Sequence, residues 1–167
     1  QAIRKAAELR VPKLVLHAGF VPLVYHPEWF VSRSGLVWKR LMREVPETLT
    51  VCLENVMEPQ PQLLADIARQ VDDPRLGLCL DIGHANTFVS QVPPVEWVKP
   101  MAPWLRHVHL HDNVGREDLH DPLGRGSIPM EQVLHALARE EHLTYTLETL
   151  QAEENVRWLL EKGFLTL

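Results

Sequence analysis

The chain has 167 residues, of which 46% are hydrophobic and 23% charged, and its formal net charge at pH 7 is −5. This length and composition are those of one soluble globular domain with a hydrophobic core, here residues 1–167. No apolar run approaches the ~20 residues of a membrane span, and the acidic balance gives no support for general nucleic-acid binding. Cys52 and Cys79 fall inside predicted strands, which favours buried thiols and a reducing, cytoplasmic setting.

The predicted elements alternate between helix and strand along the whole chain. Apolar strands are expected at 13–17, 50–55, 76–82, 106–111 and 143–149. Helical periodicity covers 1–10, about 35–45, 61–71, 94–104, 128–141 and 153–162. Strands that alternate with helices call for parallel strands joined by right-handed crossovers.

A metal-ligand or proton-transfer side chain ends four of these strands, namely Glu54, Asp81, His109 and Glu148. The steps between them are 27, 28 and 39 residues, which is the pitch of a (β/α)₈ TIM barrel. About 250 residues make eight such units, so this chain supplies about five. We therefore expect an α/β fold that forms the C-terminal five β/α units of a TIM barrel, or else a shorter open α/β sheet. A chain that begins inside a helix favours the barrel.

The alternation of side chains along a strand places these four groups on one face of the sheet. In a barrel this face points inward, and the four groups converge at the carboxyl-terminal rim, where barrel enzymes place their active sites. Three carboxylates and one imidazole would repel one another unless a divalent cation neutralised them. The oxygen-rich set suits Mn²⁺, Mg²⁺ or Co²⁺, and also Zn²⁺ if further histidines join it.

Further side chains near the same rim are candidates for metal or substrate binding. They are His17 after the first strand, His84 after Asp81, and Asp118 and His120 on the loop after His109. An orienting role outside the metal's ligand set is an equally good reading for His84. The remaining histidines His26, His135 and His142 match no pattern and are expected on the surface.

Five motifs occur in order at the strand ends: LEN at 53–55, DIGH at 81–84, HLHDN at 109–113, D-x-H-x-x-x-G-x-G at 118–126 and LET at 147–149. Together they resemble the xylose-isomerase-like TIM-barrel superfamily, which holds sugar phosphate isomerases and epimerases and the endonuclease IV group of AP endonuclease family 2. The resemblance covers essentially the whole chain, although the family's N-terminal strands have no counterpart in it.

The two branches of this superfamily imply different sites. The resemblance to the epimerases implies one divalent metal on Glu54, Asp81, His109 and Glu148, with Glu54 and Glu148 as an acid/base pair on opposite sides of the sugar. The resemblance to endonuclease IV implies a zinc cluster held by these four groups together with His17, His84, Asp118 and His120.

Three functional hypotheses follow. The first is a metal-dependent isomerase or epimerase of a sugar or sugar phosphate, which removes a proton next to a carbonyl and passes through an enediolate. The second is a zinc-dependent endonuclease acting at abasic sites, and the third is a non-catalytic barrel fragment. The short loop after HLHDN, and a sequence without a cluster of Arg or Lys among aromatics, favour the first. It implies a sugar as the partner, with no nucleic acid or membrane, and allows a homo-oligomer.

Five β/α units cannot close a barrel that needs eight strands. The first and last strands should therefore be unpaired edges, and the face that carries Val15, Cys52, Cys79 and Thr146 should be open to water. Such edges invite pairing with another segment. We expect either a longer protein of about 250 residues or a second copy that covers the open side.

Overall fold

The computed structural model describes residues 1–140 and 142–166, and this part of the chain forms five parallel strands and six α-helices in strict alternation. The strands are β1 Lys13–His17, β2 Thr50–Glu54, β3 Leu76–Asp81, β4 Leu105–Leu110 and β5 Thr144–Leu147. The helices are α1 Ala2–Glu8, α2 Pro27–Met42, α3 Gln62–Val71, α4 Pro94–Met101, α5 Met130–Leu137 and α6 Ala152–Glu161. The sheet order is β1-β2-β3-β4-β5. The predicted fold, five β/α units of a TIM barrel, is confirmed as a curled half-barrel.

The middle of the sheet is the best-packed part of the molecule. On β2, β3 and β4 the apolar side chains that face the helices are buried, and they are Val51, Leu53, Leu78, Leu80, Val108 and Leu110. Helix α3 buries Leu64 and Ile67 in the same core. Each such side chain stabilises the fold by roughly 1.5–3 kcal/mol relative to the same side chain left exposed. Their burial against the helices therefore holds the middle strands in place.

Helix α2 begins at Pro27, eight residues before the predicted start at residue 35. Proline suits the first turn of a helix, because the amide hydrogen that it lacks would have no partner there. Gly35 lies inside the helix, where a Cβ would come within 2.3 Å of the side-chain carbon Cδ of Gln70 on α3. This glycine therefore serves close packing of two helices, and its reading as the start of the helix was wrong.

The expectation that the whole inner face is open to water is wrong for the middle strands. Cys52 and Cys79 are fully buried, whereas Val15 is half-buried and Thr146 is exposed. The sheet curls enough for the Lys13 ammonium, on edge strand β1, to donate to the Thr144 hydroxyl on the opposite edge strand β5, 2.7 Å away. Burial raises the pKa of the Cys52 thiol to about 11 and that of Cys79 to about 12.

None of the described helices has the length and apolar character that a membrane crossing requires.

Candidate metal centre

The side chains of Glu54, Asp81, His109 and Glu148 meet at the carboxyl-terminal rim of the sheet. One ligand atom from each lies within 4.8 Å of the ligand atoms of the other three. Parallel strands cause this convergence, because all carboxyl ends share one rim and Asp81 pairs with His109 in the β3–β4 register. Glu148 follows β5 directly, and its backbone N–H donates to Leu110 on β4. The structure thus brings together the four residues that the strand pattern singled out.

Nδ1 of His109 lies at the centre of this group. It is 3.0 Å from Oε1 of Glu54, 3.2 Å from Oε1 of Glu148 and 3.6 Å from Oδ2 of Asp81. Burial alone would lower the pKa of His109, but hydrogen bonds with Asp81, Cys79 and Glu54 raise it well above the ordinary value. The surrounding carboxylates therefore favour a positive charge at this point.

The pKa of the Asp81 carboxylate is shifted by the same interactions in the opposite direction. Its side chain is fully buried, which by itself would raise its pKa, yet hydrogen bonds from His109 and His111 hold the pKa below its usual range. Among the described residues, the ion-pair partners of Glu54, Asp81 and Glu148 are all histidines. Three carboxylates gathered without lysine or arginine fit a divalent cation, which would supply the charge they need.

A second group of side chains adjoins the first. Oδ2 of Asp118 lies 3.1 Å from Nε2 of His84 and 3.1 Å from Nε2 of His120. The Nδ1 of each ring faces a backbone carbonyl at hydrogen-bond distance, that of Asn55 for His84 (2.8 Å) and that of Glu148 for His120 (2.7 Å). Metal-binding histidines are commonly oriented by such a bond on their other nitrogen. These three predicted residues therefore form a hydrogen-bonded group beside the first.

The remaining predicted residue, His17, lies at the margin. Its Nε2 is 3.4 Å from Oε2 of Glu54, and its side chain is 67% exposed. His26, His135 and His142 are exposed and lie outside both groups, as expected.

Three buried polar side chains hold the rim loops in shape, a role that the sequence reasoning did not assign to them. The Asn55 amide exchanges two 2.8 Å hydrogen bonds with the backbone N–H and C=O of Asp81, and so continues the β2–β3 pairing past Glu54. Asp112 accepts from the N–H groups of Gly124 and Ile128, and Asn155 accepts from Leu123. Asn55 and Asp112 lie inside the motifs LEN and HLHDN, so the motifs carry loop geometry as well as ligands.

Comparison with known proteins identifies the family of this chain. Residues 1–162 match the family model AP_endonuc_2, described as a xylose isomerase-like TIM barrel. The chain belongs to this family. Uncharacterized protein MJ1311 of Methanocaldococcus jannaschii is 31% identical over 146 residues, which are 81% of this chain and 50% of the relative. Fructoselysine 3-epimerase of Escherichia coli O157:H7 is 20% identical over 83% of this chain and 56% of the relative. The chain thus spans about half the length of the curated relatives it matches.

Solved structures of the family superpose on almost the whole chain. A D-tagatose 3-epimerase-like protein gives a TM-score of 0.79 with 26% identity, and the match covers 98% of this chain and 66% of that protein. The TTHB071 protein of Thermus thermophilus, soaked with ZnCl₂, gives 0.77 with 28% identity over 99% of this chain and 67% of that protein.

His111 belongs to the site; the sequence marked it as a side chain able to hold a metal or move a proton but did not place it among the candidate ligands. It is fully buried, and its Nε2 lies 3.0 and 3.1 Å from the two carboxylate oxygens of Asp81. Its ring stacks on His120 with centroids 4.0 Å apart and planes 7° apart. Parallel stacked rings do not direct their in-plane lone pairs at one point, so we do not assign His111 and His120 to a shared ion. The inward parity of 107, 109 and 111 was the signal that could have found it.

Proposed function

We propose that this chain carries the metal-binding half of a divalent-metal-dependent sugar or sugar phosphate isomerase or epimerase. The proposal rests on one observation: three carboxylates each place one oxygen within 3.6 Å of Nδ1 of His109. Glu54, Asp81, His109 and Glu148 would hold one Mn²⁺, Co²⁺ or Mg²⁺. The names of the relatives support a sugar as substrate, since two of them are 3-epimerases or epimerase-like.

When bound, the ion would polarise the substrate carbonyl and its neighbouring hydroxyl, and so make the adjacent C–H acidic. Glu54 and Glu148 would then act as the acid/base pair. Their Oε1 atoms lie 3.0 and 3.2 Å from the same nitrogen of His109, so both carboxylates adjoin the position proposed for the ion. One would remove the proton, and the other would return a proton to the opposite face of the enediolate.

The second candidate function is a zinc-dependent phosphodiesterase of the endonuclease IV type. The grouping of His84, Asp118 and His120 favours it, because these residues could hold a further zinc ion beside the first. The net charge of −5 favours the sugar enzyme, since a protein that grips a nucleic-acid backbone needs basic surface. A non-catalytic role for this half-barrel is the third candidate.

We further propose that residues 1–167 are a single domain, the C-terminal portion of a barrel, in a cytoplasmic protein. Among the described residues the outer edges of β1 and β5 pair with no further strand, which supports a portion of a barrel, because a closed barrel needs strands there. Further strands of a longer protein, or a second copy, would cover the open side. The partner would be a small sugar, with neither nucleic acid nor membrane.

Metal content and proton exchange test the proposal together. The protein is incubated with Mn²⁺, Co²⁺ or Zn²⁺, dialysed, and analysed for metal, and it is then screened with ketoses in D₂O. We expect one ion per chain and deuterium on the carbon next to the carbonyl, both lost in Asp81→Asn. Two or three zinc ions per chain with cleavage of abasic DNA would favour the nuclease, and neither metal nor exchange would leave the non-catalytic role.

A further inference from the structure

We propose that His111 is a positioning residue that fixes the orientation of the Asp81 carboxylate at the metal centre. The proposal rests on the proposed function, since it gives His111 a role only if Asp81 binds an ion. It adds a residue outside the group Glu54, Asp81, His109 and Glu148, although one nitrogen of His111 also lies within 4.8 Å of ligand atoms of His120 and Glu148.

The contacts of Asp81 show how its carboxylate is held. Oδ1 accepts from the backbone N–H of His84 at 2.7 Å and from Nε2 of His111 at 3.0 Å. Oδ2 lies 3.1 Å from the same Nε2 and 3.6 Å from Nδ1 of His109. A carboxylate is an acceptor only, so Nε2 of His111 must carry the hydrogen. That one N–H bridges both oxygens and so fixes the plane of the carboxylate, whose Oδ2 faces Nδ1 of His109 at 3.6 Å.

The ring that supplies this hydrogen bond is itself held in place. One face stacks on His120, and the ring packs so closely on Gly83 that a Cβ there would lie 1.9 Å from Cε1 of His111. Gly83 has φ −71° and ψ −46°, which any residue adopts. The backbone therefore does not require glycine at 83, but the ring of His111 does.

The other nitrogen of His111 shows which contact matters. Nδ1 is buried and has no hydrogen-bond partner among the described residues. An unpartnered buried nitrogen is costly, and an apolar side chain at this position would avoid that cost. A histidine at this position is best explained by the polar contacts of its Nε2, which hydrogen-bonds to Asp81 and lies 3.7 Å from Oδ1 of Asp118.

Two substitutions separate the hydrogen bond from the shape of the ring. His111→Phe keeps a flat ring between Gly83 and His120 but removes the donor, whereas His111→Gln keeps an N–H donor without the ring. Residues that orient metal ligands typically change metal affinity about 10–100-fold when replaced. We expect His111→Phe to weaken Co²⁺ binding by this factor and His111→Gln to weaken it about threefold or less. His26→Phe, at an exposed position, is the matched control.

The measurement is a titration of the metal-free chain with Co²⁺, followed by visible absorption, with thermal unfolding of each variant in the absence of metal. Unchanged affinity in His111→Phe overturns the proposal. If the unsubstituted chain itself binds no Co²⁺, the proposed metal centre fails, and the role of His111 fails with it for that separate reason.

Gly83→Ala provides an independent test should His111→Phe not fold. Its Cβ would displace the His111 ring, so we expect about a 10-fold or greater loss of Co²⁺ affinity. In a His111→Ala background the same Gly83→Ala change has no ring to displace and should alter affinity by less than about twofold. Equal losses in the two backgrounds would contradict the proposal.

Discussion

The ends of the middle strands and the ends of the edge strands present the same kinds of side chain in different surroundings. Glu54, Asp81 and His109 end or nearly end β2, β3 and β4, and their side chains are between 0 and 9% exposed. His17 and Glu148, at the ends of β1 and β5, are 67% and 30% exposed. A strand that pairs with a neighbour on both sides buries the functional group at its end, whereas a strand at the edge of the sheet leaves that group accessible.

The contrast divides the candidate centre into a rigid part and a more accessible part. Three of its four groups are held by the core, whereas Glu148 depends on β5, whose Tyr145 is still 45% exposed. In the described part of the chain, Glu148 is therefore the most solvent-accessible of the four groups. Each of the following predictions tests this division.

The largest effect is expected on turnover. Glu54→Gln and Glu148→Gln should each lower kcat by about 10²–10⁴-fold, because each removes one member of the proposed acid/base pair. The two should differ in stability, since Glu54 is buried and hydrogen-bonded to His109 while Glu148 is partly exposed. Deuterium exchange on the confirmed ketose measures the first effect, and urea unfolding measures the second. Near-full activity in either variant would remove that glutamate from the proton transfer.

The next effect is on stability. Asp81→Asn should destabilise the metal-free protein by about 3–5 kcal/mol, because it leaves the buried imidazoles of His109 and His111 without their carboxylate. His17→Asn at the exposed end of β1 should change the free energy of unfolding by less than about 0.5 kcal/mol. Urea denaturation of both variants gives the comparison, and similar values would contradict the division into buried and exposed ends.

These outcomes also show how far the sequence reasoning reached. The strands and the four convergent groups could be predicted from local patterns. Side chains alternate between the two faces of a strand, and all parallel strands end at the same rim, so a residue's place along its strand gives its place in the site. The roles assigned to these groups stay proposals. Helix α2 was placed too late because Gly35 was taken as the start of the helix, although it packs against Gln70, whose position depends on another helix.

The supporting residues were missed for a similar reason. His111 and Asn55 act on Asp81, which is about 30 residues away from each in the chain but adjacent in the rim. No spacing rule links a residue to a partner that only the curl of the sheet brings close. The curl also buries Cys52 and Cys79, which parity alone had placed on an open face.

The two thiols test the burial of the middle strands. Cys52 and Cys79 are fully buried, and desolvation raises the pKa of each thiol to about 11 and about 12. Since the thiolate is the reactive form, iodoacetamide at pH 8 should label neither residue in the folded protein. Both should react in urea, as mass spectrometry would show. Rapid labelling of the native protein would mean that the curled face opens.

A smaller effect than that of Asp81→Asn is expected at the opposite end of β3. Asp73, just before this strand, accepts two hydrogen bonds from the Arg75 side chain, and these lower its pKa. Its contribution to stability is therefore fully present above the unfolded pKa of about 3.9 and is lost as pH falls through the lower folded value. Asp73→Asn should cost about 0.5–1 kcal/mol at pH 7 and progressively less below pH 4. A difference that persists unchanged at pH 2 would contradict this origin.

The hydrogen bond between Lys13 and Thr144 indicates the order in which parts of the sheet form. Each strand pairs only with its neighbours in the chain, so the sheet can grow one β/α unit at a time through contacts of modest sequence separation. The Lys13–Thr144 contact instead joins residues 131 positions apart. Closing so long a loop carries the larger entropic cost, and contacts of this kind form slowly unless shorter ones precede them. We therefore expect the curl to close late, and Lys13→Met should speed unfolding while leaving the refolding rate almost unchanged.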